Sequence, residues 1–475
     1  VAVKRVVVVG GGIGGLAAAA LLGRAGHRIT LLEAAPFLGG KSKRIRLDGQ
    51  TVDTGPSLVT FPRVWEEFLR RWEGLGREGS AESVASLRLV RLPEVGRYYY
   101  RGSIAPLPVP EGHPWRPAWE RFAKIHGALG PQMTRLLTTD PLDRRTLPAL
   151  RRLLGVYRTK LTTRGYLDSL EWLPDGLREV IAIHTLNAGV GPARTPALFA
   201  SMPAVMAEEG VWVPEGGVYE MVLALARLAA KSGVEIRTES PVVGISRGRV
   251  LTTESEHAAD VVVSDLDAGR LRALLEPVKR LHPGRLSCSG VALYAALREE
   301  LPPEIPTHGV VLPADTGSLY RSLELGEEPP ETMVFVNYYR PGEVYPANGR
   351  GVLALLLTAP ANGREYDLED TFVARELGRV SRLLKLEKPL SEYFGSHAVL
   401  HPRYFGEWGS AEGALYGAVR PLWRGGPLHS PPYSDRKRPW LYRVGVSVHP
   451  GGGIPAVLGG ALISTGRLLK ALGSQ

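Results

Sequence analysis

Four consecutive β-branched residues, Val6–Val9, run straight into a glycine cluster and then into an Ala/Leu stretch that reaches Ala25. A short apolar run bounded by turn residues predicts a strand buried on both faces, and the longer apolar run behind it predicts a buried helix. Gly26 offers the left-handed residue on which such a helix ends. Arg28–Leu32 repeats the strand pattern. The spacing after residue 210 predicts a helix over about 218–231 followed by two short strands, and the "VVV" of Asp260–Asp265 predicts one more buried strand. Near the C-terminus, "LYRVGVSVHPGGGIPAVLGGALISTGRLLKAL" reads as strand, glycine turn and helix, with Pro455 suited to the first helical position. In "GRYYYRG" the period of two puts Tyr98 and Tyr100 on one face, whereas Phe335 and Tyr338 in "MVFVNYYRPG" need not share one. Leu150–Arg164 carries Leu150, Leu153, Leu154, Tyr157 and Leu161 on one expected helical stripe, among five basic residues and no acidic one.

The first strand, turn and helix carry chemistry. Gly10, Gly12 and Gly15 stand in the G-x-G-x-x-G spacing: the first permits the turn, the second lets backbone approach a pyrophosphate, and the third lets helix and strand pack closely. The free N–H groups of the helix start then face the anion. Glu33 ends the second strand 18 residues past Gly15, where a carboxylate accepts hydrogen bonds from a ribose hydroxyl pair. These residues predict a dinucleotide site and leave NAD and FAD both open.

With 475 residues, 44% of them apolar, the chain is long enough for two or three domains. We find no internal repeat, and the Pro-rich "RGGPLHSPPYSDRKRP" predicts a surface loop before the last strand. The single cysteine, Cys288, excludes an intrachain disulfide and any multi-cysteine metal site, and as a lone thiol it is expected to be buried and inert. A net charge of +10 favours polyanionic surroundings, nucleic acid or anionic lipid, or simply a solvated Arg-rich surface. Nucleic acid loses ground because the sequence shows neither a helix-turn-helix nor a metal finger nor an aromatic-basic platform. There is no run of 18 uncharged apolar residues and no leader-like start, so a cytoplasmic location is expected.

The segment after Glu33, "EAAPFLGGKSKRIRLDGQTVDTGPSLVT", adds a glycine pair, Gly39-Gly40, then Lys41 and a hairpin turning at Asp48-Gly49. It resembles the FAD-binding motif of amine oxidases and carotenoid desaturases. Together with "GVWVPEGGV", "PANGRGVLALLLTAP" and "SAEGALYG" leading to "HPGGGIPAV", it makes the whole chain similar to the bacterial phytoene desaturase family of FAD-dependent carotenoid desaturases. The C-terminal strand reads Gly445-Val446-Ser447-Val448-His449-Pro450, a form similar to the hydroxy- and methoxyneurosporene 3,4-desaturase branch.

That resemblance implies an α/β fold: a Rossmann-like FAD domain assembled from residues 1–79, 211–274 and 431–475, and an α+β substrate domain from 80–210 and 275–430. It implies cofactor contacts at Gly10, Gly12, Ile13, Gly14 and Gly15, then at Glu33, Ala34, Gly40, Lys41 and Pro56. Val242 would meet the adenine through its backbone, and Gly445, His449, Gly453, Ile454 and Pro455 would lie beside the flavin. The implied reaction moves a hydride from a saturated carbon of the carotenoid to flavin N5 while the neighbouring carbon loses a proton; oxygen or a quinone then takes the electrons. A C40 hydrocarbon calls for a long apolar tunnel, for which the two tyrosine-rich strands are candidate walls, or ordinary sheet packing. His308 is a candidate functional group or a core histidine. No catalytic base and no metal are implied. The Leu150–Arg164 segment would dock on an anionic membrane, peripherally and on its inner face, or pack as an ordinary helix. Other readings are a phytoene desaturase proper, a carotenoid isomerase, a flavin amine oxidase and a non-catalytic lipid carrier.

Overall fold

The computed structural model describes residues 2–76, 80–276, 284–422, 429 and 431–473. Five parallel strands form one sheet in the order Leu441–Arg443, Val261–Ser264, Arg5–Val9, Arg28–Leu32, Glu235–Arg237. Its centre is Val6–Val9, paired with Val261–Ser264 on one side and Ile29–Leu32 on the other, which is why these segments are apolar without alternation. The helix Ile13–Arg24 buries every residue from Gly14 to Gly23 between Tyr219–Lys231 and Ile454–Ala471. Small side chains are needed there because two helices and a sheet converge on it. A three-stranded antiparallel sheet, Val242–Ser246, Gly248–Thr252 and Glu256–Ala259, lies in the chain between Glu235–Arg237 and Val261–Ser264.

Seven strands form the second large sheet: Phe394–Leu400, Ser289–Leu297, Val352–Ala359, Val334–Tyr339, His308–Val311, Gly96–Tyr100, Ser103–Leu107. Its two faces separate cleanly. One carries Leu293, Leu355, Val336 and Tyr338 and packs with Phe372, Leu377 and Val380 of the helix Thr371–Leu383. The other carries Tyr98, Tyr294, Ala354 and Tyr339 and turns toward the main core shared with the parallel sheet. Tyr98 and Tyr100 do share a face, and Phe335 and Tyr338 lie on opposite ones.

Two expectations need correction. The stripe over Leu150–Arg164 is not one helix: Leu147–Tyr157 is helical, Arg158 takes φ 53°, and a separate helix begins at Thr163. Leu153 and Tyr157 are buried, whereas Leu150, Leu154 and Leu161 are exposed, so the five residues do not form a single face. Pro455 occupies the second helical position, not the first, because Gly453 at φ 88° starts the helix at Ile454. The proline is tolerated for the same reason at either place, since the N–H it lacks would have no intrahelical partner. Of the expected loop over 424–439, residues 424–428 and 430 lie outside the described residues.

Candidate functional site: a dinucleotide cleft under an uncharged sheet

Local geometry at the first turn follows the glycine spacing. Gly10 has φ 103°, and Leu16 N–H donates to the Gly12 carbonyl as the helix begins. A β-carbon on Gly12 would stand 2.5 Å from Asp265 Oδ2; one on Gly14 would stand 2.5 Å from Asp265 Oδ1 and 2.9 Å from the Gly445 nitrogen; one on Gly15 would collide with the Gly10 carbonyl. Ile13 opens the helix as its first residue. The turn is thus a cradle with no room for side chains; the Gly10 and Gly11 amides donate to the Leu32 carbonyl and Glu33 Oε2, which leaves those of Gly12, Ile13 and Gly14 as the ones that would meet an anion.

Glu33 is buried and doubly held: Gly11 N–H donates to its Oε2 at 2.6 Å and Ala35 N–H to its Oε1 at 2.8 Å. Each carboxylate oxygen keeps a second lone pair for a ribose hydroxyl. Ala34, between Glu33 and Ala35, is exposed. Ser240 N–H donates to the Glu33 carbonyl, which brings Val242, two residues further, to the same end of the cleft.

Gly39 N–H donates to the Gly11 carbonyl, and Gly39 bridges Gly12, so the second glycine pair lies along the first turn. Gly40 follows at φ 61°, with room for a β-carbon only 3.4 Å from Gly12 Cα. Lys41 Nζ donates to the Leu415 carbonyl at 2.8 Å. Burial brings its pKa down to about 8, with Asp267 and Asp265 opposing that shift. Next to Leu415, the Tyr416 ring lies where a β-carbon on Gly452 would fall, so the C-terminal glycine turn reaches the same place. Gly445, at φ 80°, packs against the Gly14 backbone. Pro56 is half-buried beside Gly55, whose N–H donates to Tyr294 Oη at 2.9 Å.

The His449 ring takes a different direction. It borders a small cavity with Pro141, Tyr433 and Arg467, 5.9 Å from the His429 ring, and burial lowers its pKa to about 4. Ser447 Oγ accepts from Ala268 N–H at 2.9 Å. The serine of the Ser-Val-His-Pro form therefore joins two chain segments.

The seven-stranded sheet turns an uncharged wall toward the cleft segments. Register places Tyr98, Val310, Phe335, Leu356, Ala292 and Leu400 in one row across it. The next row holds His308, Asn337, Ala354, Tyr294 and Ala398. Residues 55–57 are tied to this wall: Tyr339 Oη donates to the Ser57 carbonyl at 3.2 Å and Asn337 Nδ2 to Ser57 Oγ at 3.2 Å. His308 Nδ1 meets Asn337 Oδ1 at 2.7 Å, and Tyr98 Oη meets His184 Nε2 at 2.8 Å. Burial lowers His308 to about 4 and His184 to about 3, so both imidazoles are neutral at pH 7. The open groove of about 1400 Å³ elsewhere on the surface is lined by Arg63, Glu67, Arg70, Arg71 and Arg135, a polar channel and not the apolar tunnel expected for a hydrocarbon.

Sequence reasoning missed Asp265, Tyr294, Tyr339, Asn337 and His184. Only Asp265 had a signal: it directly follows the strand paired with Val6–Val9, so it had to lie beside the glycine turn. Cys288 is buried, with its thiol pushed up to about 12 by burial. Far from Lys41 in sequence, it is near in space, because the Cys288 carbonyl accepts from Leu415 N–H.

The chain is similar over almost its full length to enzymes of carotenoid metabolism. It is 28% identical to the zeta-carotene-forming phytoene desaturase of Myxococcus xanthus over 98% of this chain and 94% of that one. It is 27% identical to the 4,4'-diapolycopene oxygenase of a Methylomonas species over 97% of both. The 4,4'-diapophytoene desaturase of Staphylococcus aureus is 24% identical over 98% and 99%. Among solved structures, cyclohexylamine oxidase from Brevibacterium oxydans shares the fold with a TM-score of 0.61 at 14% identity, covering 99% of this chain and all of that one. Putrescine oxidase does so with a TM-score of 0.63 at 14% identity, over the whole of both chains. Residues 13–398 match the flavin containing amine oxidoreductase family. The glycine cradle, the buried Glu33 and the discontinuous parallel sheet fit the cofactor of those enzymes: the chain belongs to the flavin containing amine oxidoreductases and uses FAD.

Proposed function

We propose that the protein desaturates a carotenoid, introducing a double bond at C-3,4 of an acyclic or monocyclic, 1-hydroxylated substrate. The observation that carries this reading is the uncharged face of the seven-stranded sheet, tied to residues 55–57 through Tyr294, Asn337 and Tyr339. From Tyr98 to Leu400 its rows hold aromatic, aliphatic and neutral polar residues, without one Asp, Glu, Lys or Arg. A hydrocarbon asks for removal of apolar area from water and offers little to hydrogen-bond. An ammonium substrate would leave such a wall without a counter-charge.

When bound, FAD supplies the two-electron acceptor chemistry that desaturation requires. Glu33 would hold its ribose, the amides of the Ile13–Arg24 helix start its pyrophosphate, and the Ile454–Ala471 helix start would face the flavin. The wall aligns the polyene and excludes water. Because His308 and His184 are neutral and hydrogen-bonded, they add no charge beside a chain whose lost proton is acidified by conjugation. Oxygen or a quinone is the final acceptor.

The relatives' names support carotenoid chemistry, and the Ser447-Val448-His449-Pro450 sequence supports the 3,4 position. The substrate is taken from an anionic membrane on whose inner, cytoplasmic face the protein sits. No helix among the described residues is long and apolar enough to cross a membrane. Leu142, Leu147, Leu150, Leu154 and Leu161 are all exposed, at 70%, 48%, 39%, 65% and 76%, within one stretch of chain. Arg144, Arg145, Arg151, Arg152 and Arg158 are exposed among them, and the arginine-lined groove adjoins at Arg145 and Pro148. Leucines at the acyl boundary with arginines at phosphate depth fit a peripheral contact.

The test is anaerobic: FAD-loaded protein on anionic liposomes carrying a 1-hydroxylated acyclic carotenoid, beside a sample carrying phytoene. Flavin bleaching with a red-shifted polyene and a product two mass units lighter is expected from the hydroxylated substrate alone. Bleaching with phytoene moves the 3,4 assignment to the phytoene branch, an unchanged mass with a shifted spectrum points to isomerisation, and silence with both overturns the reading.

A further inference from the structure

Asp265 follows the strand Val261–Ser264, and its N–H donates to the Val9 carbonyl. Its carboxylate fills the notch beside the glycine turn. Oδ2 faces Gly12 and Oδ1 faces both Gly14 and Gly445, where a β-carbon would stand 2.5 Å from the facing oxygen on Gly12 and on Gly14 and closer still on Gly445. The Gly15 amide reaches the same carboxylate. Asp265 thus stands against the helix start whose amides serve a pyrophosphate. The residue is half-buried.

The charges around it are few. Glu33 approaches from the end of Arg28–Leu32 and Lys41 from the loop after Gly40, while Asp267, two residues further along the chain, acts on Lys41. The helix Ile13–Arg24 brings no titratable side chain in its first turns, and Val444–Val448 brings none at all. The Lys41 ammonium is already hydrogen-bonded to the Leu415 carbonyl.

A pyrophosphate diester carries two negative charges, and an ionised carboxylate in the same notch repels it at short range in a region of low dielectric. We propose that Asp265 takes up a proton from solvent when FAD binds, so that cofactor affinity is set by pH through this one side chain. In its neutral form the carboxyl becomes an O–H donor and adds no like charge. Burial already pushes the carboxyl up to about 7, Glu33 pushes the same way, and Lys41 and the Gly15 amide oppose. Proton uptake on binding therefore needs little free energy near neutrality.

Linkage gives the expected course. Affinity is flat well below pH 7 and falls by up to about tenfold per pH unit above it, because only the protonated carboxyl accommodates the ligand. Lys41, at about 8, adds a loss in the same direction at higher pH, so the window from 6 to 7.5 belongs to Asp265. Apoprotein would be titrated with FAD by quenching of flavin fluorescence between pH 6 and 8.5. In parallel, binding enthalpy would be measured in two buffers of different ionisation enthalpy, which counts protons. Wild type is expected to take up about 0.8 proton per FAD through Asp265 at pH 7.5. Asp265→Asn keeps the shape and an acceptor for the Gly15 amide; at pH 7.5 it is expected to lose most of that uptake and to bind FAD about fourfold more tightly than wild type. An affinity unchanged from pH 6 to 8 with no proton uptake by wild type overturns the proposal, and that result needs no variant to fold. Failure to bind FAD at any pH would count against the cofactor assignment instead.

Discussion

The G-x-G-x-x-G spacing leaves position 14 free, yet replacing Gly14 by alanine should damage the protein. In an isolated helix that change would help, since alanine exceeds glycine in helix propensity by up to about 1 kcal/mol. Here the new methyl would stand 2.9 Å from the Gly445 nitrogen and 3.1 Å from Gly445 Cα. Carbon contacts settle at about 3.5–4.0 Å, so helix start and C-terminal segment must part by roughly 0.5 Å. The Asp265 oxygen at 2.5 Å can turn aside as the end of a side chain, but the Gly445 backbone cannot. Overpacking of this kind costs about 1–3 kcal/mol and outweighs the propensity gain. The displaced helix start also carries the amides proposed to meet the pyrophosphate. Loss of one charge-assisted hydrogen bond, about 1.5–3 kcal/mol, weakens FAD binding by about 10- to 150-fold. The assay is FAD titration of the apoprotein with thermal unfolding alongside, and Gly155→Ala as control, because Gly155 is exposed on the helix Leu147–Tyr157 with open space where a β-carbon would fall. The control should stabilise slightly. FAD affinity within twofold of wild type and an unchanged unfolding temperature for Gly14→Ala would refute the packing of Gly445 on the helix start.

Other outcomes follow from the same structure. His126, His184 and His308 are buried, and burial lowers them to about 3, 3 and 4 from 6.5. The unfolded chain binds protons more readily, so their contribution is complete above pH 6.5 and is lost as pH falls toward 4, by up to about 1.4 kcal/mol per group and pH unit; urea midpoints across that range would reveal it. Tyr294→Phe removes the partner of the Gly55 N–H, which lies on an exposed residue and can turn to water, and should cost about 0.5–1.5 kcal/mol of stability, read by urea unfolding against wild type. Leu150→Asp with Leu154→Asp should abolish cosedimentation with anionic vesicles while FAD absorbance stays normal; retained cosedimentation would move the membrane contact elsewhere. High salt should weaken vesicle binding of the wild type, since the exposed arginines act through a screened field.

How much of this was readable beforehand depends on the range of the forces involved. Val6–Val9, the glycine turn, Gly26, Glu33 and the Asp48-Gly49 hairpin are fixed by local sterics, turn chemistry and periodicity, and each lies where the sequence puts it. The Leu150–Arg164 stripe failed because a regular period says nothing of where a chain is bent, and Arg158 at φ 53° bends it. Asp265 against Gly12 and Gly14, Lys41 on the Leu415 carbonyl, and Tyr294 on Gly55 join residues between 239 and 374 positions apart. No spacing rule spans such distances, because those pairs exist only after two sheets and three helices have packed. The sequence by itself determined the strands of the parallel sheet, the glycine turn and the shared face of Tyr98 and Tyr100. Only the tertiary structure decided which carboxylate lies against the glycine turn, which face of each strand looks toward the main core, and which leucines were left outside. Burial is a property of the assembled layers, and it alone determines whether a carboxylate, an imidazole or a leucine meets water or protein.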